Sequence, residues 1–166
     1  MRIIISILVA AFFLCSCSMV SGPKKEPSGK QLQVLEFLDA GRPKAALVTA
    51  DQLVEQSPED YQSYLTRNAV YLVLRDYAKA QADNEKALEV FQANPARYPE
   101  KERNYRLAKI HESFALTALI ASRRASDPQE RKRLEGLFGE HAEKVKALDE
   151  ETWKNMRGLA GEKVEE

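Results

Sequence analysis

The chain has 166 residues, a length that suits one domain, and its 25 Lys and Arg balance 25 Asp and Glu. That balance argues against a general nucleic-acid binder, which carries a basic excess. With 44% hydrophobic and 30% charged residues and sparse Gly and Pro, the composition is that of a globular chain.

Residues 1–16 differ from everything after them. Met1-Arg2 gives a positive start, and the run from Ile3 to Leu14 is almost wholly apolar, interrupted only by Ser6. Such a run is too short for a comfortable membrane span, which takes about 20 residues, and has the form of a secretory signal peptide. Its end, Leu14-Cys15-Ser16-Cys17, resembles the bacterial lipobox, a Leu, a variable residue and a small residue before Cys. The resemblance implies removal of residues 1–16 and lipidation of Cys17. Ser18, where an Asp would resemble an inner-membrane retention signal, implies the outer membrane, with the domain facing the periplasm. Loss of Arg2 with the leader leaves 24 basic against 25 acidic residues, a net charge of −1. No cysteine follows Cys17, so the mature fold has no disulfide framework.

The stretch 17–28 then carries the lipidated Cys and "SMVSGPKKEPS", which is rich in Ser, Gly, Pro and Lys, has no helical stripe and reads as a flexible tether. From Ser28, suited to cap a helix, Leu32, Leu35 and Leu38 recur at helical spacing. Gly41 fits a left-handed helix end and Pro43 a first turn. Ala46, Leu47, Ala50, Leu53 and Val54 continue the stripe, and Ser57-Pro58-Glu59-Asp60 reads as a hydroxyl cap, a first-turn proline and two acids. Tyr64, Leu65, Tyr71, Leu72 and Leu74 then share one helical face, and Tyr77, Ala80, Ala87, Leu88 and Phe91 another, about a turn at Arg75-Asp76-Tyr77.

The two halves of this region echo each other. Tyr71 superposes on Phe37, Leu72 on Leu38, Ala80 on Ala46, Ala87 on Leu53 and Leu88 on Val54, all at one common period of about 34 residues. The turn lands on Gly41-Arg42-Pro43. The stretch "YLTRNAVYLVLRDYAKAQADNEKALEV" (64–90) resembles a tetratricopeptide repeat almost throughout, with Tyr64, Tyr71, Asp76-Tyr77, Ala80 and Ala87-Leu88 in the family's positions. The copy before it carries Phe37, Gly41, Ala46 and Pro58. Departures stand at Arg67, where Leu is usual, Asn68, where Gly or Ala is usual, Asn84, where an aromatic is usual, and Leu53, larger than the usual Ala. An ordinary helical bundle with a chance echo is the competing reading; both are all-α. The resemblance implies antiparallel helix pairs stacked as a short right-handed superhelix, with two repeats in 29–92.

Past Gln92 the period breaks. A connection at 93–99 leads into a long apolar-periodic stretch from Glu100 to Arg124, and Asp127-Pro128 opens another helix with Leu134, Leu137, Phe138, His141, Val145 and Leu148 on its inner face. Asp149 suits the cap of a last short helix carrying Trp153, Met156 and Leu159, ended by Gly158 and Gly161. Residues 93–160 thus read as a divergent third helix pair with a capping helix, and 161–166 as a polar tail.

No catalytic constellation is legible. The two His, 111 and 141, come without a zinc-ligand spacing; the Gly are scattered rather than gathered in a phosphate loop; Ser113, Ser122 and Ser126 lack a nucleophile elbow. His111-Glu112 as an acid–base pair is weaker than a boundary histidine beside a solvated acid. The basic runs Arg123-Arg124 and Arg131-Lys132-Arg133 read as a solvated helix end, with an interaction patch as the minority reading. The absence of a catalytic constellation argues against an enzyme, and no cofactor or metal is expected; the resemblance implies a concave surface that holds a protein or peptide. By position that surface is Leu32, Leu35, Leu38 and Asp39, then Gln62, Leu65, Thr66, Ala69, Leu72 and Val73, then Tyr105, Arg106, Lys109 and Glu112. A carboxylate clamp of Lys and Asn is absent, because Leu32, Leu35, Thr66 and Ala69 stand in its place. The expected function is a membrane-anchored adaptor for another envelope protein, in assembly of a pilus, secretin or cell-wall machinery. The alternative is a periplasmic carrier or small enzyme with an apolar ligand between helices.

Overall fold

The computed structural model describes residues 29–161. The expected leader, Cys17, the tether and 162–166 lie outside the described residues. Regular structure within 29–161 is all helical, and the described residues divide into two compact units that meet between Phe91 and Gln92.

The first unit is built from helical hairpins: α1 (Gly29–Asp39) with α2 (Pro43–Gln56), and α3 (Tyr61–Leu74) with α4 (Tyr77–Ala93). The echo in the sequence is present in the backbone itself. Gly41 and Arg75 both take the left-handed conformation, at φ 68° and 62°. Arg42 N–H donates to Phe37 O at 2.8 Å, and Asp76 N–H to Tyr71 O at 2.9 Å. Gly41 N–H reaches Leu38 O as Arg75 N–H reaches Leu72 O, and the following helices open with Ala46 N–H on Arg42 O and Ala80 N–H on Asp76 O. Each pair is offset by the same single period. The paired bonds back to the last turn satisfy carbonyls that a helix end leaves unpartnered.

Ala46 and Ala80 are fully buried, and small side chains there permit close helix approach. Val34, Leu38, Ala46, Ala50 and Val70 form one apolar cluster, with Phe37, Leu47, Val73 and Leu74 packed against it. At the far end of the second hairpin the Tyr61 and Phe91 rings meet edge to face at 5.7 Å.

Three sequence expectations shift here. Leu32, placed on the inner stripe of α1, is 46% exposed; the buried positions are Gln31, Val34 and Leu38, a face rotated by about a third of a turn from Leu32. Val70, outside the expected stripe of α3, is fully buried, while Tyr71, Leu72 and Leu74 are half-buried. The cap of α3 is Asp60, whose carboxylate accepts from Gln62 N–H at 3.1 Å, and Ser57 instead ends α2. Asp wins because it sits one residue before the helix, where its short carboxylate reaches the free N–H groups.

The second unit follows a 3-10 turn at Pro95–Arg97. It contains α5 (Glu100–Ser122), α6 (Pro128–Leu148) and α7 (Glu150–Ala160), each packed on the other two. Asp127 accepts from Gln129 and Glu130 N–H groups, with Pro128 in the first turn of α6; Asp149 accepts from Thr152 N–H at 2.7 Å to start α7. Gly161 ends α7 at φ 83°, while Gly158, expected as a terminator, lies inside the helix. The whole run from Ile110 to Ala118 in α5 is buried. Fully buried Val145 and Met156 and nearly buried Ala142 fill the faces of α6 and α7.

Candidate functional site

The residues expected to line a concave surface divide by burial. In the first unit Leu35, Gln62, Leu72 and Val73 are half-buried, whereas Leu65, Thr66 and Ala69 are buried. The Thr66 hydroxyl donates to Gln62 O at 2.7 Å and accepts from Gln31 Nε2 at 3.5 Å, so it joins α3 to α1. Val73 packs against the apolar cluster of α1–α3. These are core roles. Among the described residues, the large apolar side chains that stand exposed are Leu32 and Val48, at 46% and 60%.

In the second unit Tyr105 and Lys109 are half-buried and Arg106 is buried. Arg106, placed by position on the concave surface, turns its guanidinium onto Glu102 one helical turn back, at 2.6 and 3.0 Å, and lies 4.8 Å from the Tyr98 ring centre. Lys109 pairs with Glu112, one turn on. Both charges are answered within α5, because residues three or four apart on a helix are neighbours.

Two of the departures from the repeat pattern, Arg67 and Asn68, lie at a polar junction of α2, α3 and α4. Arg67 Nε and Nη2 donate to the two oxygens of Asp83 at 3.0 and 2.7 Å, while Nη1 donates to Asp51 at 3.0 Å. Hydrogen bonding to Asp83 raises the Arg67 pKa further; burial pushes the Asp83 carboxyl up, against the pull of Arg67. The pair is ionised, because the two-point geometry supplies the strong form of this contact. Arg67 also lies 5.9 and 5.8 Å from the Tyr64 and Tyr71 ring centres. Beside it, the fully buried Asn68 donates from Nδ2 to Ala80 O at 2.7 Å. A family-typical Leu and Ala at 67 and 68 would pack apolar surface here; this chain fastens the helices with directional bonds.

The second unit carries its own cluster. His111 Nδ1 and His141 Nδ1 are 3.1 Å apart, and the His141 ring stacks on Phe114 at 4.4 Å and 10°. Burial, then the neighbouring His141 charge, lowers the His111 pKa to about 4; burial also lowers that of His141. At neutral pH both rings are uncharged, one donating Nδ1–H to the lone pair of the other. The Trp153 ring has Lys146 Nζ at 4.7 Å and the Arg157 guanidinium at 5.6 Å.

Chemically, these arrangements hold helices together. His111 faces His141 rather than forming an acid–base pair with Glu112, whose carboxylate is taken by Lys109. Among the described residues no group of three or more His, Cys, Asp or Glu gathers to hold a metal ion. No described helix is long and apolar enough to cross a membrane. Sequence reasoning marks Arg67 and Asn68 as departures and misses what they build. The available signal was spacing: Asp51 and Asp83 stand symmetrically about Arg67 in the sequence, one before it and one after it at equal distance. Comparison with family models, curated proteins and solved structures finds no match to this chain.

Proposed function

We infer that this chain is a tetratricopeptide-like helical-repeat lipoprotein that works without catalysis, as a membrane-held adaptor for another protein of the cell envelope. The observation that carries the repeat reading is the duplicated turn: left-handed Gly41 and Arg75, with matched bonds on either side, one period apart. That period, helix pairing and buried small residues at 46 and 80 are what the family uses to stack its hairpins. Lipidation at Cys17, after removal of 1–16, supplies the hold on the outer membrane, and the tether supplies reach.

The docking surface of this reading is narrower than the first-helix faces suggest. Within the first unit it comprises the half-exposed Leu35, Gln62 and Leu72, while Leu65, Thr66 and Ala69 serve the fold; taken by itself, the second unit leaves Tyr105 and Lys109 half-exposed and buries Arg106. Partner capture rests on apolar anchors set on ordered helices, with polar neighbours fixing register. The test combines two arms. Cys17→Ala should shift the protein out of the membrane fraction and change its mobility; unchanged retention refutes the anchor. Leu35→Glu with Leu72→Glu, in protein that keeps its helical signal, should abolish cross-linking to a partner seen in intact envelopes. Loss of cross-linking on deletion of 162–166, with none in the double variant, refutes the docking surface.

A further inference from the structure

The charge of this protein is not spread evenly. Residues 29–91 hold 7 Lys and Arg against 10 Asp and Glu, and residues 92–161 hold 14 against 11. Within the second set, 123–133 alone holds five cations and two acids, so the remaining charges of 92–161 cancel nine against nine. The entire positive excess of that stretch sits at the turn between α5 and α6.

The turn arranges these cations without neutralising them. Arg123 donates to Ala160 O at 2.8 Å, which draws the end of α7 to the same place, and Arg131 donates to Ala125 O at 2.8 Å. A carbonyl orients a guanidinium but leaves its charge in place. Arg133 holds Glu130 through two bonds of 2.7 Å, and Asp127 is occupied in capping α6. No carboxylate among the described residues pairs with Arg123, Arg124, Arg131 or Lys132, and all four are exposed.

We propose that this end of the second unit, built from Arg123, Arg124, Arg131 and Lys132, binds the phosphate groups of an anionic phospholipid surface. Three considerations select that occupant. The stretch 123–133 contains no large apolar or aromatic side chain, so it lacks the anchors on which protein partners concentrate their binding energy. A nucleic acid would add stacking of its bases on aromatic side chains, and 123–133 offers none on which a base could stack. A headgroup layer asks only for clustered positive charge, and about four to eight basic residues suffice. Arginine suits the task further, because its planar fork matches phosphate oxygens. The inference goes beyond the docking reading and does not depend on it.

The test is co-sedimentation of the full chain with vesicles of phosphatidylcholine alone and of phosphatidylcholine mixed with phosphatidylglycerol. Binding to the neutral vesicles reports the N-terminal anchor; the increment on the anionic vesicles reports the basic end. The increment should fall about tenfold or more in Arg124→Glu/Lys132→Glu, and substantially in Arg124→Gln/Lys132→Gln. It should also shrink as salt rises. Circular dichroism of both variants checks that the fold is kept. Equal wild-type binding to the two vesicle types overturns the proposal and leaves the adaptor reading standing. A full increment retained by both variants overturns it too. So does an increment that emerges only after deletion of 162–166, which would assign the patch to the tail's own glutamates. Displacement by polyglutamate with no vesicle increment would assign it to an acidic protein and overturn it likewise.

Discussion

His111 and His141 meet Nδ1 to Nδ1 at 3.1 Å, and Ser126, in the turn between their helices, stands midway between them in the sequence. Equal distance from a hairpin turn places two residues at one level, and here it puts two imidazoles face to face beside Phe114. The contact requires one ring to accept through a bare Nδ1, so the two rings cannot both be protonated.

Stability should therefore fall as the solution is acidified. The His111 pKa drops from 6.5 to about 4 in the folded protein, and His141 moves the same way, each mainly through burial. Between these values the unfolded chain binds more protons than the folded one, so stability rises with pH across the window. It is fully present above about 6.5 and lost as pH falls toward about 4. Glu140 and Lys144 are the charged groups of α6 that act on the pair. Urea unfolding at several pH values, followed by fluorescence of the lone Trp153, checks this. His111→Phe/His141→Leu should flatten the dependence; an unchanged slope in that variant would show that other groups cause it.

The two left-handed turn residues should respond to substitution with opposite signs. Nothing lies within 4 Å of a Cβ built at Gly41, so Gly41→Ala meets only the backbone penalty of φ 68° and should destabilise by about 1 kcal/mol. Arg75 holds the same conformation with a side chain, so Arg75→Gly should stabilise by a similar or smaller amount, about 0.5–1 kcal/mol. Thermal melting of both variants decides; a destabilising Arg75→Gly would mean the Arg side chain contributes more than its strain removes.

Removing Arg67 should be far more damaging than removing the whole ion pair. Arg67→Leu leaves Asp83, whose side chain is 6% exposed, charged and alone, and should destabilise by about 3 kcal/mol or more. Arg67→Leu/Asp83→Leu removes the stranded charge and should recover much of that loss. A double-mutant cycle measures the coupling, and additive losses would show that the two side chains do not act as a pair.

Ala80 and Ala46 should resist enlargement. Each is fully buried where paired helices approach, and Leu at either position should destabilise by about 1–3 kcal/mol. Equal melting midpoints for wild type and Ala80→Leu would mean that the α3–α4 contact has slack.

The hairpins and their boundaries were legible because local chemistry specifies them: Gly41 and Pro43 at one turn, Asp127-Pro128 and Asp149 at helix starts, and small residues recurring at the repeat period. The rotation of α1 was not, because Leu32, Val34, Leu35 and Leu38 supply two apolar faces, and tertiary packing chose Val34. Arg67 and Asn68 look like defects since propensity and pattern weigh them one residue at a time, whereas their partners lie on other helices. The expected groove was overcounted for the same reason. Periodicity marks an apolar face but not whether a neighbouring helix already covers it, and Leu65, Thr66 and Ala69 are covered. Arg106 reads as a free cation only while Glu102, one helical turn back, is left out of account.

Repeat stacks tend to fray from their ends, since each unit touches only its neighbours. Arg67 changes that for the first unit. A single guanidinium fastens α3 backwards to Asp51 on α2 and forwards to Asp83 on α4, so the first hairpin cannot peel away without loosening the second. The junction thus joins two hairpins, each too small to be stable alone, into one cooperative foldon. Its contacts lie close in sequence, a topology that assembles quickly and leaves little time for partly open forms.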